Sequence, residues 1–221
     1  MISKFEGSES VDLLLISGVQ GTGKSTLATR HFRDRVRANL DDVRYFYRHM
    51  TSGQSWKPTD WRRDLEPLIV SLEERIIRFN LEQGNRMVVD NTNITRESRA
   101  HYARLCQELG RSIGIIFLDL PLDYCLTKNV SRPISVPDQI VKIFHSRREL
   151  PSFDEGFDFI RVIEEPPART NAATGPMPER DRPVTIAPNQ GLSEKDFDSP
   201  QAGNWAVLDG GIDQGLHPEV A

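Results

Sequence analysis

The chain is poor in cysteine. Cys106 and Cys125, both in predicted helices, are the only two in 221 residues. Two isolated cysteines exclude a disulfide framework and a cysteine-based zinc site, and point to a reducing, cytoplasmic setting with both thiols buried. Long apolar runs are missing too. None approaches the roughly 18 residues of a membrane span, and Met1 to Ser10, with Lys4, Glu6 and Glu9, does not read as a signal peptide. Excess positive charge is also lacking. The formal net charge of −4 argues against a protein that coats nucleic acid without specificity. The balance is uneven along the chain: residues 1–165 carry 24 basic and 24 acidic residues, whereas 166–221 carry 4 and 8. Of the 28 basic residues 22 are arginine, the side chain suited to bidentate phosphate recognition. No internal repeat is visible.

What is present is an alternation of short apolar runs and amphipathic stretches. Strands are predicted at Val11–Ile16, Val36–Leu40, Arg86–Asp90, Ile113–Leu120 and Phe157–Ile163. Helices are predicted at Lys24–Arg35, Val43–Met50, Asp64–Gln83, Thr95–Leu109, Pro121–Lys128 and Asp138–Leu150. In the long helix Leu65, Leu68, Ile69, Leu72, Ile76 and Phe79 recur at helical spacing. Thr95 is an expected N-cap, and Gly84 and Gly110 are expected stops. Such alternation predicts an α/β fold with a parallel sheet and helices on both faces. From Pro166 the pattern fails. Residues 166–221 hold eight prolines and six glycines, and read as a disordered tail with one apolar patch, Asn204–Leu208. The expected division is a domain at 1–165 and a tail at 166–221.

The strongest local signal is Gly18 to Thr26, which fits the phosphate-binding loop G-x-x-x-x-G-K-[ST] between a strand and a helix. Gly18, Gly21 and Gly23 permit a tight turn that aims backbone N–H groups at phosphate oxygens, with Thr22 and Thr26 in the same cradle. Lys24 places a positive charge near the β- and γ-phosphates, and the Ser25 hydroxyl can ligate Mg²⁺.

Three further features narrow the chemistry. Asp41-Asp42-Val43-Arg44 puts a carboxylate and an arginine three residues apart at the start of a helix. They can serve as proton acceptor and phosphate-binding cation, or as an N-cap with a solvated arginine. Met87–Asp90 ends an apolar strand in an acid that can orient Mg²⁺ or its water, followed by Asn91, Thr92 and Asn93. The loop Lys128–Pro133 carries Lys128 and Arg132, able to close over phosphates as a lid or simply to face solvent. The N-K-x-D element that would recognise guanine is absent.

In this order the elements resemble the P-loop kinase domain of the polynucleotide 5′-hydroxyl kinase family, over roughly residues 11–165. Besides the phosphate loop, the resemblance rests on the D-D-x-R element Asp41, Asp42 and Arg44, and on the D-[NT]-T-N strand end Asp90–Asn93. The basic residues Lys128 and Arg132, Val136-Pro137, and Glu155-Gly156-Phe157 complete it. The resemblance implies a P-loop NTPase sheet of order 2-3-1-4-5, with ATP and Mg²⁺ as cofactors and a 5′-hydroxyl end of RNA or DNA as acceptor. It further implies Asp41 as general base, Arg44 on the acceptor's terminal phosphate, and Lys24, Ser25 and Arg132 at the triphosphate. The D-x-D-x-T phosphatase nucleophile found in many relatives is absent, and lysine at 128 stands where some have arginine. Trp56, Lys57, Trp61, Arg62 and Arg63 are candidates to grip the acceptor strand. A small-molecule hydroxyl as acceptor, suggested by the even charge of the domain, and a nucleotide-dependent binding protein are the alternatives.

Overall fold

Five short apolar runs become five parallel strands. They are β1 (Leu13–Gly18), β2 (Val36–Ala38), β3 (Met87–Val89), β4 (Ile113–Leu118) and β5 (Phe159–Ile163). The sheet order is β2-β3-β1-β4-β5, with every pair parallel, as expected. The computed structural model describes residues 5–56, 60–132 and 135–166. Lys57, Pro58, Pro133 and the Pro/Gly-rich tail from residue 167 onward, with its Asn204–Leu208 patch, lie outside the described residues. Among the described residues six α-helices connect the strands: α1 (Lys24–His31), α2 (Leu40–Ser52), α3 (Glu66–Glu82), α4 (Arg96–Leu109), α5 (Leu122–Val130) and α6 (Asp138–Arg147).

Every residue of β1 and β4 is buried, because the sheet is covered on both faces. Alternate residues feed two cores. Leu14, Ile16, Val88 and Ile116 meet Ala28 of α1, Cys125 of α5 and Ile140, Val141 and Phe144 of α6. Leu13, Leu15, Met87, Val89, Ile115 and Phe117 meet Ile77 and Leu81 of α3 and Tyr102, Leu105 and Cys106 of α4. A smaller cluster of Leu40, Val43, Ile69 and Val70 fastens α2 to α3. Both cysteines are free and buried, and burial raises the Cys106 thiol to about 12. Among the described residues no helix is long and apolar enough to cross a membrane.

Some element ends differ from expectation. α1 stops at His31 rather than Arg35, because Phe32 turns into the core as its C-cap. The buried Arg35 guanidinium then serves the sheet, donating to the carbonyls of Ser8 (2.7 Å), Val11 (2.9 Å) and Met87 (3.2 Å). β2 is shorter than predicted and α2 starts earlier. Asn39 is extended and acts as N-cap, its Oδ1 accepting from the backbone N–H groups of Asp41 and Asp42. Thr95 caps α4 in a reciprocal box with Ser98, and Gly110 ends it. α5 runs two residues beyond Lys128. Buried Asn129 then holds Val136, donating from Nδ2 to its carbonyl and accepting its N–H on Oδ1.

Gly21 fixes how α5 meets the phosphate loop. Its φ is +87°, and a Cβ there would stand 2.2 Å from the Cys125 carbonyl oxygen. Both facts exclude other residues: left-handed backbone costs a non-glycine residue about 1–2 kcal/mol, and the overlap is with backbone, which cannot swing aside. Gly21→Ala is therefore expected to destabilise the fold by about 2 kcal/mol or more, read as a lowered midpoint in urea denaturation.

Candidate active site

The carboxyl ends of β1, β2 and β3 open into one cavity of about 590 Å³. Parallel sheets place ligands at such ends because the loops and helix N-termini converge there. Of the predicted loop residues, Gly21, Gly23, Lys24, Ser25 and Thr26 line it. Gly18 and Thr22 do not. Gly18 closes β1, and its N–H donates to the Thr92 carbonyl at 2.9 Å. Thr22 is buried and turns inward, its hydroxyl donating to the Val19 carbonyl at 2.8 Å. The Lys24 ammonium donates to the carbonyls of Gly18 (2.6 Å) and Val19 (3.0 Å), inside the loop it belongs to.

Asp41, Asp42 and Arg44 line the same cavity. Asp41 and Asp42 sit in the first turn of α2, where the positive end of the helix dipole favours carboxylates. Arg44 is buried, and one guanidinium serves two carboxylates. Nη1 donates to Asp41 at 2.7 Å, while Nε and Nη2 form a fork on Glu66 at 3.0 and 2.6 Å. Burial disfavours the Arg44 charge, but Glu66 and Asp41 outweigh it and raise its pKa above the ordinary arginine value. Three of its five N–H donors are committed, leaving two for a ligand. Trp56 lies over the guanidinium at 5.8 Å.

Asp90 is also in the wall and has no side-chain exposure. Its Oδ1 accepts from Arg37 Nε at 2.9 Å and Asn39 Nδ2 at 3.1 Å, and its Oδ2 from Arg37 Nη2 at 3.2 Å. Arg37 also reaches Asp42 at 2.6 Å. The next residue, Asn91, accepts the Leu40 N–H on Oδ1 at 2.9 Å.

Lys128 and Arg132, from the C-terminal end of α5 and just beyond, line the same cavity. The Lys128 ammonium lies 5.7 Å from the Tyr124 ring centroid. Of the acceptor-grip candidates, Trp56 and Trp61 line the cavity, whereas Arg62 and Arg63 are exposed outside it and Arg62 pairs with Asp64. Glu155, the acid of the E-G-F element, makes a buried fork with Arg99 at 2.8 Å on both oxygens, holding the segment before β5 to α4.

Sequence reasoning missed Arg37, Asn39, Glu66, Glu73 and Tyr102. Three of them carried a readable signal: Asn39 is a capping residue type just ahead of two acids. Glu66 and Glu73 fall on the stripe of α3 that buries Ile69, Val70 and Ile77, and a carboxylate within an apolar stripe must find a partner.

For Mg²⁺ the chain offers oxygen donors, which suit it. Ser25 is exposed in the cavity at the first turn of α1. Magnesium keeps several waters and takes only one or two protein ligands beside phosphate oxygens, so one hydroxyl beside the loop fits. No group of three or more His, Cys, Asp or Glu side chains among the described residues forms an all-protein metal cage.

A family profile described as AAA domain matches residues 13–151. The chain is 22% identical over 146 residues to the L-seryl-tRNA(Sec) kinase of Methanococcus maripaludis, covering 66% of this chain and 56% of that protein. It is 26% identical over 164 residues to the bifunctional polynucleotide phosphatase/kinase of Schizosaccharomyces pombe, covering 72% of this chain and 35% of that one. The chain thus spans about half the length of one relative and about a third of the other. A chain of the Pnkp1/Rnl/Hen1 RNA repair complex has the same fold, with a TM-score of 0.52 at 24% identity, over 61% of this chain and 43% of that one. The profile spans more than half of the sequence, from β1 through the phosphate loop to the end of α6, and the chain belongs to the AAA domain family.

Proposed function

We propose that this domain transfers the γ-phosphoryl group of ATP to the 5′-hydroxyl of a polynucleotide. The observation that carries the reading is that Asp41, hydrogen-bonded to Arg44, lines the same cavity as Lys24 of the phosphate loop. A kinase needs this pairing: a cradle for the donor facing a proton acceptor for the attacking oxygen. The relatives' names, a seryl-tRNA kinase and a polynucleotide phosphatase/kinase, favour an acceptor attached to nucleic acid.

The chain's own residues divide the work. The loop N–H groups and Lys24 receive the β- and γ-phosphates, Lys24 exchanging carbonyl partners for phosphate oxygens. Asp41 accepts the 5′-hydroxyl proton as that oxygen bonds to the γ-phosphorus and the bond to the β-phosphate oxygen breaks, releasing ADP. Arg44 uses its two remaining donors on the phosphate that follows the terminal nucleoside. Trp56 and Trp61 offer faces on which a base can stack. Lys128 and Arg132 bring positive charge over the transferring group and exclude water. Bound at Ser25, Mg²⁺ would neutralise charge on the phosphate oxygens, and Asp90, which lines the same cavity, would orient the ion or its water.

A small alcohol as acceptor is the second reading, favoured by the equal numbers of basic and acidic residues in residues 1–165. Transfer of labelled phosphate from ATP to 5′-hydroxyl RNA and DNA oligonucleotides separates the two. Labelled ends are expected, and no labelled end together with turnover of a small alcohol would overturn the first reading.

Asp41→Asn is expected to lower the transfer rate by about 10²–10⁴ with ATP affinity retained, measured by single-turnover transfer and equilibrium nucleotide binding. Unaltered turnover in this variant would leave the nucleotide-dependent binding protein as the better reading.

Removing Glu66 leaves Arg44 half-paired in a buried site. Glu66→Ala is expected to cost on the order of 3 kcal/mol in urea denaturation. It is also expected to raise the KM of the acceptor while that of ATP is unchanged, measured in steady-state assays.

A further inference from the structure

Behind the first turn of α2 lies a polar group that the mechanism above does not use. Glu73 of α3, Asn91 after β3 and Tyr102 of α4 are all buried and close a ring of hydrogen bonds. Asn91 Nδ2 donates to Glu73 Oε1 at 2.8 Å and to the Tyr102 hydroxyl at 2.9 Å, and that hydroxyl donates to Glu73 Oε2 at 2.8 Å. The ring reaches α2 through Asn91, whose Oδ1 accepts the N–H of Leu40, the first residue of that helix. The amide orientation is forced. A flipped Asn91 would set its NH₂ against the Leu40 N–H and its oxygen against a carboxylate.

We infer that Glu73 and Tyr102 are positioning residues, which act through Asn91 to hold the Leu40 amide and thereby place Asp41, the next residue, toward the phosphate loop. The inference rests on Asp41 being the base. Three N–H groups open α2, and each is held by a side chain: Leu40 by Asn91, and Asp41 and Asp42 by Asn39. Asn39 is in turn anchored on the carbonyl and carboxylate of Asp90. The Leu40 bond therefore ties the backbone of this turn, through Asn91, to α3 and α4, in addition to the packing of Leu40 on Ile69 and Val70, and misplacing the turn would shift the proton acceptor relative to the phosphates. Such shifts are costly because reacting atoms must meet within about 3–3.5 Å.

Glu73 also makes the link sensitive to pH. Burial pushes its carboxyl up to about 7, against hydrogen bonds from Asn91 and Tyr102 and the charge of Arg44; the charge of Asp90 acts with burial. Tyr102 is raised well above its ordinary value by burial and by Glu73, so it stays a donor. The ionised carboxylate accepts from both partners, whereas the neutral acid carries a proton that competes with one of them. The ring is thus fully made above about pH 7 and loosened below it. Stability runs the other way: a carboxyl held above its ordinary value contributes stability that is present at low pH and lost as pH rises through about 7.

The test compares the unaltered protein with Tyr102→Phe and Glu73→Gln. Amide hydrogen exchange at Leu40, followed by NMR without substrate, is expected to be about tenfold faster in Tyr102→Phe, the loss of roughly one hydrogen bond. With ATP and a 5′-hydroxyl oligonucleotide, kcat of the unaltered protein is expected to rise through pH 7 and that of Glu73→Gln to lack this step, KM for ATP unchanged in both. The fall in melting temperature from pH 5 to pH 8 should be smaller in Glu73→Gln. Unchanged Leu40 exchange in Tyr102→Phe, where ring and volume are kept, overturns the inference whatever the activity. A Glu73→Gln rate profile that follows the unaltered one also overturns it. Faster Leu40 exchange in a protein that phosphorylates no acceptor upholds the hold on the turn and instead overturns the assignment of Asp41 as base.

Discussion

A carboxylate removed from water must be paired, and in this domain the pairing of Asp90 organises the part of the cavity built by β2, β3 and the start of α2. Arg37 of β2 takes both Asp90 oxygens in a fork, and Asn39 takes one oxygen and the backbone carbonyl. The Asp90 N–H meanwhile donates to the Ala38 carbonyl at 3.3 Å. The ends of β2 and β3 are thereby locked together where their ladder stops. Asn39 then turns its other face to the first turn of α2 and caps two of its N–H groups. One buried charge thus fixes where the strand ends, where the helix begins, and which residues its first turn presents to the cavity.

The same wall concentrates negative charge, since Asp41, Asp42, Asp90 and Glu66 all crowd α2. It is held by two arginines, each shared between two acids: Arg37 by Asp90 and Asp42, Arg44 by Glu66 and Asp41. Sharing has a chemical consequence. Each guanidinium is oriented before any ligand arrives, so little side-chain entropy remains to be lost on binding. At the phosphate loop, Gly21 lets the Cys125 carbonyl come close, so that α5 lies against the loop and carries Lys128 and Arg132 to the cavity. The start of α2 and the phosphate loop are therefore each braced by the elements packed against them.

What could be read in the sequence follows the range of the forces involved. The glycine loop, the strand–helix alternation, the cap at Thr95 and the stop at Gly110 depend on neighbours within a few residues, and they appear where local chemistry places them. The end of α1 departs from the local pattern, because Phe32 and Arg35 answer to the core and to strand carbonyls far along the chain. Asp41, Arg44, Lys24 and Arg132 were recognisable as residue types in order, but the partners that orient Asp41 and Arg44 were not. Glu66 lies 22 residues from Arg44, and Glu73 lies 18 from Asn91 and 29 from Tyr102. Periodicity shows that such glutamates face inward; it does not say what they meet. Asn39 was closer to hand, being a capping residue type just ahead of two acids, and Asp41 drew the capping role only because its own carboxylate could also have filled it.

The even charge of the domain bears on the acceptor. A protein that tracks along a strand must neutralise many phosphates and carries a basic surface. An enzyme that acts on an end needs only the last nucleotide in place. On the proposed reading that grip consists of two remaining donors on Arg44 and the faces of Trp56 and Trp61, all in the cavity lining. Stacking contributes about 1–3 kcal/mol per base, and a charge-assisted contact about 1.5–3 kcal/mol, enough together for a weak hold that a kinase can release after each transfer. A basic exterior would add affinity for the interior of every strand and so compete with the ends. Lack of net positive charge in residues 1–165 is thus no objection to a polynucleotide acceptor; it matches recognition by terminus rather than by length.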